Sequence, residues 1–366
     1  MFSLLPARFL SASLVLIVLA HNGFATPPAP APEWNAKFAG REGWIGGDAV
    51  YSVKVNADRV LWFFGDTFIG TVKNGRRDGA TMVNNTVAAM KGTDAKATIE
   101  FFHGTSKDGK PNAILTPKNE PGYYWPLGGA MNGTRLVLFL VRVESTKDGG
   151  PFGFRSVAQA FAVIENPLDE PSAWKIEYSK LPFAVFEAKR ERIWGSAICT
   201  VGDETYVYGV EDRTKKLGSR QLLVAKVPTA KLADPKAWRF RVRDQWSEKA
   251  DDAVGLANGL ATEFSVGPAP GGGYVAVYTE SGIGERIVGR FASEPHGPWS
   301  EPHLLYSCPE KSNGKVFCYS AKAHHWCNAD ELLVSYCTNG WKFATSIESD
   351  TVYRPQFVRV KGIGRP

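Results

Sequence analysis

Two aspartates in residues 43–70 (GWIGGDAVYSVKVNADRVLWFFGDTFIG) are the groups best suited to chemistry in this chain. Asp48 follows a Gly-Gly step at the start of a strand-like run, and Asp66 stands just beyond an aromatic run. Trp44, Ile45, Trp62, Phe63, Phe64 and Phe68 flank them and should limit the access of water. A partly dehydrated carboxylate pair, one member protonated and the other charged, is what hydrolysis of a glycosidic bond requires. Gly-Asp steps also make ordinary turns, so a structural role stays open at this stage.

The elements that would carry such a pair repeat along the chain. Runs dense in β-branched and aromatic residues, bounded by Gly, Asn, Asp or Pro, occur at 59–64 (RVLWFF), 135–141 (RLVLFLV), 204–210 (ETYVYGV), 273–279 (GYVAVYT) and 331–336 (ELLVSY). Their landmark aromatics, Phe64, Phe139, Tyr208, Tyr278 and Tyr336, are spaced by 75, 69, 70 and 58 residues. Similar openings precede them: Trp44-Ile45-Gly46-Gly47, Trp125-Pro126-Leu127-Gly128-Gly129, Trp194-Gly195-Ser196, and weaker versions near Thr262 and Ala323. A second echo links Glu170-Pro171-Ser172-Ala173-Trp174, Asp234-Pro235-Lys236-Ala237-Trp238 and Pro295-His296-Gly297-Pro298-Trp299. A period of this length suits a four-stranded sheet with its loops, so the predicted fold is an all-β, five-bladed β-propeller; a β-sandwich or two β domains is the alternative.

In a propeller the inner strands converge on an axis and bring the starts of successive units into one pocket. On that basis Glu211, after the strand of its own unit, corresponds to Asp66, and Glu263 to Asp48. Both are further acid candidates, although solvated strand-end carboxylates are common. Arg213 and Arg142 could bind hydroxyls or keep carboxylates charged. Trp44, Trp125 and Trp194 would ring the pocket mouth as stacking faces for sugars, or pack between blades. His324 opens the fifth unit, where a hydrogen-bonded structural role is the plain alternative to ligand binding. The sequence holds no phosphate-binding glycine loop, helix-borne zinc motif or serine nucleophile elbow.

The motifs GGDAVYS, LWFFGDTFIG and Met82-Val83-Asn84-Asn85-Thr86, with Tyr319-Ser320-Ala321-Lys322-Ala323-His324, Leu333-Val334-Ser335-Tyr336, Asn339 and Tyr353-Arg354-Pro355-Gln356-Phe357, resemble a bacterial family of secreted five-bladed propellers of formerly unknown function. That family is related to endo-D-arabinofuranosidases and to the arabinanase, xylosidase and fructan-hydrolase propellers. The chain departs from it at His325-Trp326-Cys327, where the family usually has proline. The resemblance implies a pentose- or furanoside-cleaving pocket on the axis, with Asp48 and Asp66 as the acidic positions and Asn85 among the substrate contacts. It also makes an ion near His324 conceivable, while no cofactor or metal ligand set is called for.

Residues 1–25 have the build of a cleavable export signal, with Arg8, the apolar run 9–20 (FLSASLVLIVLA) and small residues Gly23 and Ala25 before the cut. A proline-rich spacer follows at 26–33, and one domain at 34–366. Without Arg8 the net charge falls from +6 to +5, with both signs interspersed, which gives no ground for nucleic-acid binding. Five cysteines in an exported chain suggest Cys308 with Cys318 and Cys327 with Cys337, leaving Cys199 single. The expectation is a periplasmic or extracellular monomer, free of the membrane after cleavage, acting on a polysaccharide or oligosaccharide; a non-catalytic glycan- or partner-binding propeller is the rival reading.

Overall fold

Each landmark run becomes the second strand of an antiparallel sheet. The computed structural model describes residues 26–146, 153–216, 218–310, 314–327 and 330–362; the export signal lies outside them. Sheet one comprises Tyr51–Asn56, Arg59–Phe64, Thr86–Lys91 and Thr98–Phe102. Sheet two comprises Tyr123–Asn132, Arg135–Ser145, Phe154–Ile164 and Ile176–Lys180. Sheet three has Arg190–Val201 as its first, inner strand, followed by Glu204–Asp212, Gln221–Pro228 and Arg239–Val242, and is widened by the short flanking strands Val185–Glu187 and Gln245–Ser247. Sheet four holds Phe264–Pro268, Tyr274–Thr279, Arg286–Ala292 and His303–Ser307. Sheet five is built on Val316–Ala323, Glu331–Gly340 and Pro355–Lys361.

The sheets follow one another around a shared cavity of about 520 Å³, propeller fashion, and the first or inner strand of every sheet contributes to its wall. Polar side chains clamp neighbouring sheets together. The Asn85 amide donates to Leu115 O and Tyr124 O, and Gln159 exchanges two 2.8 Å bonds with the backbone of Trp194. The echoed tryptophans explain themselves here. Each sits between the third strand of its sheet and the next strand outward, and reaches back to the preceding sheet's second strand: Trp174 to Phe63 (6.3 Å), Trp238 to Phe139 (6.0 Å) and Trp299 to Tyr208 (6.3 Å). The repeat seen in the sequence is thus a repeat of sheet-to-sheet packing, where large aromatic faces bury most area.

Two expectations need correction. Part of the proline-rich stretch is no spacer: Ala29–Pro30 pairs with the outer strand of sheet five, Ala29 opposite Arg359, and Pro32–Lys37 is a helix that buries Trp34 against Trp62 and Phe357. The segment covers a strand edge and closes the molecule where sheet five meets sheet one. Trp44 does not open an inner strand either. Its strand, Glu42–Gly47, belongs to a separate three-stranded sheet with Thr67–Lys73 and Arg76–Val83. All five cysteines are thiols; those of Cys308 and Cys318 are in hydrogen-bond contact.

Candidate active site

The two aspartates occupy the joint between sheet one and the three-stranded sheet. Gly47 lies opposite Thr67 on one side of the joint and Tyr51 opposite Phe63 on the other. Across it, Asp48 N donates to Asp66 O (3.3 Å) and Gly65 N to Asp48 O (3.1 Å). Glycine is required at 65, since a Cβ there would stand 2.5 Å from Asp48 Oδ1. Ala49 and Val50 both have positive φ (65° and 55°). Such a conformation is costly for a β-branched residue, and strain of this kind concentrates at functional sites. The seventeen intervening residues fold away as a hairpin, leaving the two carboxyl groups as cross-strand neighbours.

Both carboxyls are held above the usual carboxylate range. For Asp48, burial is the largest cause, followed by the negative charges of Asp66 and Glu263, and together they push it up to about 8. Hydrogen bonds to Oδ2 from Tyr319 (2.7 Å) and Tyr353 (3.0 Å) act in the opposite direction and are outweighed. Burial also raises Asp66, against two donors on its Oδ1, Trp125 Nε1 at 2.9 Å and Asn84 Nδ2 at 3.2 Å. Such a half-buried pair of carboxyls in electrostatic contact retains a proton near neutral pH, because ionising both would place two charges side by side.

Glu263, at the head of the inner strand of sheet four, is the third acid of the site. The ammonium of Lys322 lies 3.7 Å from it, over the Tyr51 ring at 4.3 Å, and donates to Ser320 O and Oγ. Burial pulls this ammonium below the usual lysine range, opposed by Glu263 and Asp48. Val50, Tyr51, Phe264 and Lys322, next to these acids, line the cavity between the inner strands. Tyr51 OH, Ser196 Oγ and His325 Nε2, all from lining residues, are buried without a protein partner. Polar atoms in that position are satisfied by solvent or ligand.

Other expected site residues go elsewhere. Glu211 is buried beneath Arg190, Arg192 and Arg213, with contacts of 2.6, 3.2 and 3.0 Å. Burial works to raise its carboxyl, but these guanidinium groups win and hold it below the usual range. It is no neighbour of Asp48, and Arg213 belongs to its cluster. Arg142 pairs with Glu120 and Glu144. Trp44 and Trp194 are buried in the core, Trp44 stacked on Phe101 at 4.6 Å and Trp194 against Phe240 at 5.3 Å, so neither offers a face to a sugar. The Asn85 amide is engaged in its sheet-to-sheet clamp. His324 is buried, and both ring nitrogens are taken by hydroxyls, Nδ1 by Ser52 (2.7 Å) and Nε2 by Ser335 (2.9 Å). Among the described residues no group of three or more His, Cys, Asp or Glu side chains is set to hold a metal ion. Of the tryptophans, Trp125 alone joins the acids.

Tyr319, Lys322, Tyr353, Asn84 and Arg77 were not singled out from the sequence. Four of them lie inside the motifs quoted above, but 271 and 305 positions separate Tyr319 and Tyr353 from Asp48. Arg77 binds the three-stranded sheet to the loop carrying Tyr353, donating to Ile45 O (3.0 Å), Ser349 O (2.9 Å) and Val352 O (2.8 Å).

Fold and site together define an all-β, propeller-like protein with a half-buried acid cluster beside the wall of a central cavity. The chain belongs to the family described as a domain of unknown function, DUF5005, whose model matches residues 32–363. No curated protein matches the sequence. A solved protein from Bacteroides ovatus, provisionally called a hydrolase, is 18% identical over 90% of this chain and 89% of its own, with a TM-score of 0.72, and so shares the fold. More distant are an α-L-arabinofuranosidase from Lactobacillus brevis (11% identity, 88% and 95% coverage, TM-score 0.47) and a GH43_1 enzyme from Xanthomonas citri (12%, 91% and 89%, 0.47).

Proposed function

We propose that this protein is a secreted glycoside hydrolase whose five sheets are the blades of a propeller, and that it cleaves furanosidic, arabinan-like linkages in a polysaccharide. One observation carries the reading: Asp48 and Asp66 are cross-strand neighbours, both half-buried and both pushed upward, beside Val50 and Tyr51 of the cavity wall. The choice of furanoside rests on the motif resemblance at the two ends of the chain.

In this mechanism Asp48, the acid under the strongest upward pressure, keeps its proton and passes it to the departing glycosidic oxygen as the C–O bond breaks. Asp66, held by the N–H groups of Trp125 and Asn84, presents negative charge to the oxocarbenium-like centre; water then adds to that carbon and its released proton restores the Asp48 carboxyl. Glu263, 3.7 Å from the Lys322 ammonium, contributes to the electrostatic pressure that keeps the proton on Asp48. Export would place the chain in an oxidising compartment, where the adjoining Cys308 and Cys318 thiols would form a disulfide; the intact mass of the secreted protein, short by two hydrogens, tests this.

The test of function is release of reducing sugar from arabinan and a panel of other glycans. Wild type should act on at least one of them, and Asp48→Asn and Asp66→Asn should lose the activity while melting cooperatively. No release from any glycan by folded wild type, with retained glycan binding, would make the protein a binding module instead.

A further inference from the structure

A second cleft, of about 550 Å³, lies beside the acid pair on the Asp66 side. Asn84 is part of its lining, and the same side chain donates to Asp66 Oδ1 at 3.2 Å, so the cleft comes within one hydrogen bond of the carboxyl. Tyr123 lines it too, its ring 5.7 Å from that of Trp125, the other donor to this oxygen. Burial, and then the negative charge of Asp66, push the Tyr123 phenol up to about 12. Its hydroxyl therefore remains a hydrogen-bond donor throughout the neutral range.

The walls of this cleft are fixed by buried polar contacts. Asn85, next to Asn84 in the chain, ties one wall to the other: its amide donates to Leu115 O (2.8 Å) and Tyr124 O (2.9 Å) and accepts from Leu115 N (2.8 Å). Further out, Glu144 lines the cleft with a carboxylate braced on both oxygens, by Arg142 at 3.2 Å and Arg155 at 3.1 Å. The volume is that of a small-molecule site. An aromatic face, a side-chain amide, a braced carboxylate and the exposed Thr116 together suit a hydroxylated ring, whose C–H groups stack while its hydroxyls exchange hydrogen bonds.

We propose that this cleft is a second saccharide subsite, in which the Tyr123 ring stacks on the sugar unit adjoining the one whose bond is cut and Glu144 accepts from its hydroxyls. The inference rests on the glycoside hydrolase reading and deepens it, since the substrate is then recognised through at least two successive sugars. The occupant is the substrate's own chain, because a residue that holds Asp66 is itself part of the cleft wall, so a chain bound against Asp66 continues into it.

Binding is measured in the Asp48→Asn background, which blocks cleavage and leaves Asp66 with both its donors. With arabinotriose as the probe, adding Tyr123→Ala should weaken affinity about tenfold, and Tyr123→Phe should keep most of it, since one stacked ring is worth on the order of a factor of ten. Arabinose, which fills the catalytic position alone, should lose less than twofold by NMR titration. Thr116→Trp, at an exposed position of the lining, fills the cleft without entering the core and should reproduce the loss for arabinotriose only. Equal losses for both probes, or no loss for arabinotriose in either variant, overturn the subsite while leaving the acid pair in place. Failure of the Asp48→Asn protein to bind arabinotriose at all, with wild type inert on arabinan, removes the furanoside reading together with the subsite.

Discussion

Two carboxylates that leave strands in the same way end in opposite electrostatic states. Asp66 follows Phe64-Gly65 at the end of the second strand of sheet one, and Glu211 is the penultimate residue of the second strand of sheet three, Glu204–Asp212. Around Asp66 and its neighbour Asp48 the structure gathers acids and aromatic rings, and both carboxyls rise. Around Glu211 it gathers three arginines, and the carboxyl falls. Burial penalises charge at both places, so the companions decide the outcome. One cluster retains a proton, and the other is a strut.

The sharpest way to break this contrast is to remove one carboxylate from each cluster. Asp66→Asn should cut glycan hydrolysis by about a thousandfold, the scale of lost acid–base or charge assistance at a reacting centre, with little change in melting temperature. Glu211→Gln should leave catalysis near the wild-type level but lower stability by about 2–3 kcal/mol, read as a shifted urea midpoint. Arg192 loses its buried partner there, while Arg190 and Arg213 retain some solvent, which reduces the penalty. A Glu211→Gln protein that is stable but inactive would erase the distinction.

A third effect concerns pH. The folded-state value of Asp48 lies above the unfolded one, so between roughly pH 4 and pH 8 the folded protein binds more protons than the unfolded chain. This group therefore makes stability fall as pH rises through that window. Asp48→Asn should flatten this slope, Asp66 retaining part of it, and raise stability relative to wild type by several kcal/mol at pH 8, on the order of the roughly four-unit shift, and by almost nothing at pH 4, as measured by denaturant unfolding at both pH values. Smallest is Trp125→Phe, which keeps a ring but removes the 2.9 Å donor to Asp66. The Asp66 carboxyl should rise further, moving the acidic limb of the activity profile upward and lowering activity at neutral pH about tenfold.

The β class, the spacing of the sheets and the acid pair were legible because each rests on local pattern. Dense aromatic and β-branched runs define second strands, and a Gly-Asp step at each side of one hairpin marks the joint. The tryptophan echo was visible too, although its meaning as a contact between successive sheets was not. The strand partnership of Trp44 was misjudged because a Trp-Gly-Gly opening reads alike in an inner strand and in an inserted sheet. Glu211 was misjudged for a similar reason: its place in the unit is that of Asp66, and Arg190 and Arg192 reach it only through cross-strand register.

What the residues determined unaided is therefore periodic: strands, their turn points, and which side chains are acidic at strand ends. Tertiary structure alone decided which charges meet. Tyr319, Lys322 and Tyr353 come to Asp48 from the far end of the chain because the sheets close on one axis, with Ala29–Pro30 pairing beside the last strand. Carboxyl acidity depends on the burial and charge within a few ångströms, and those distances are set by closure of the ring rather than by any local run of sequence.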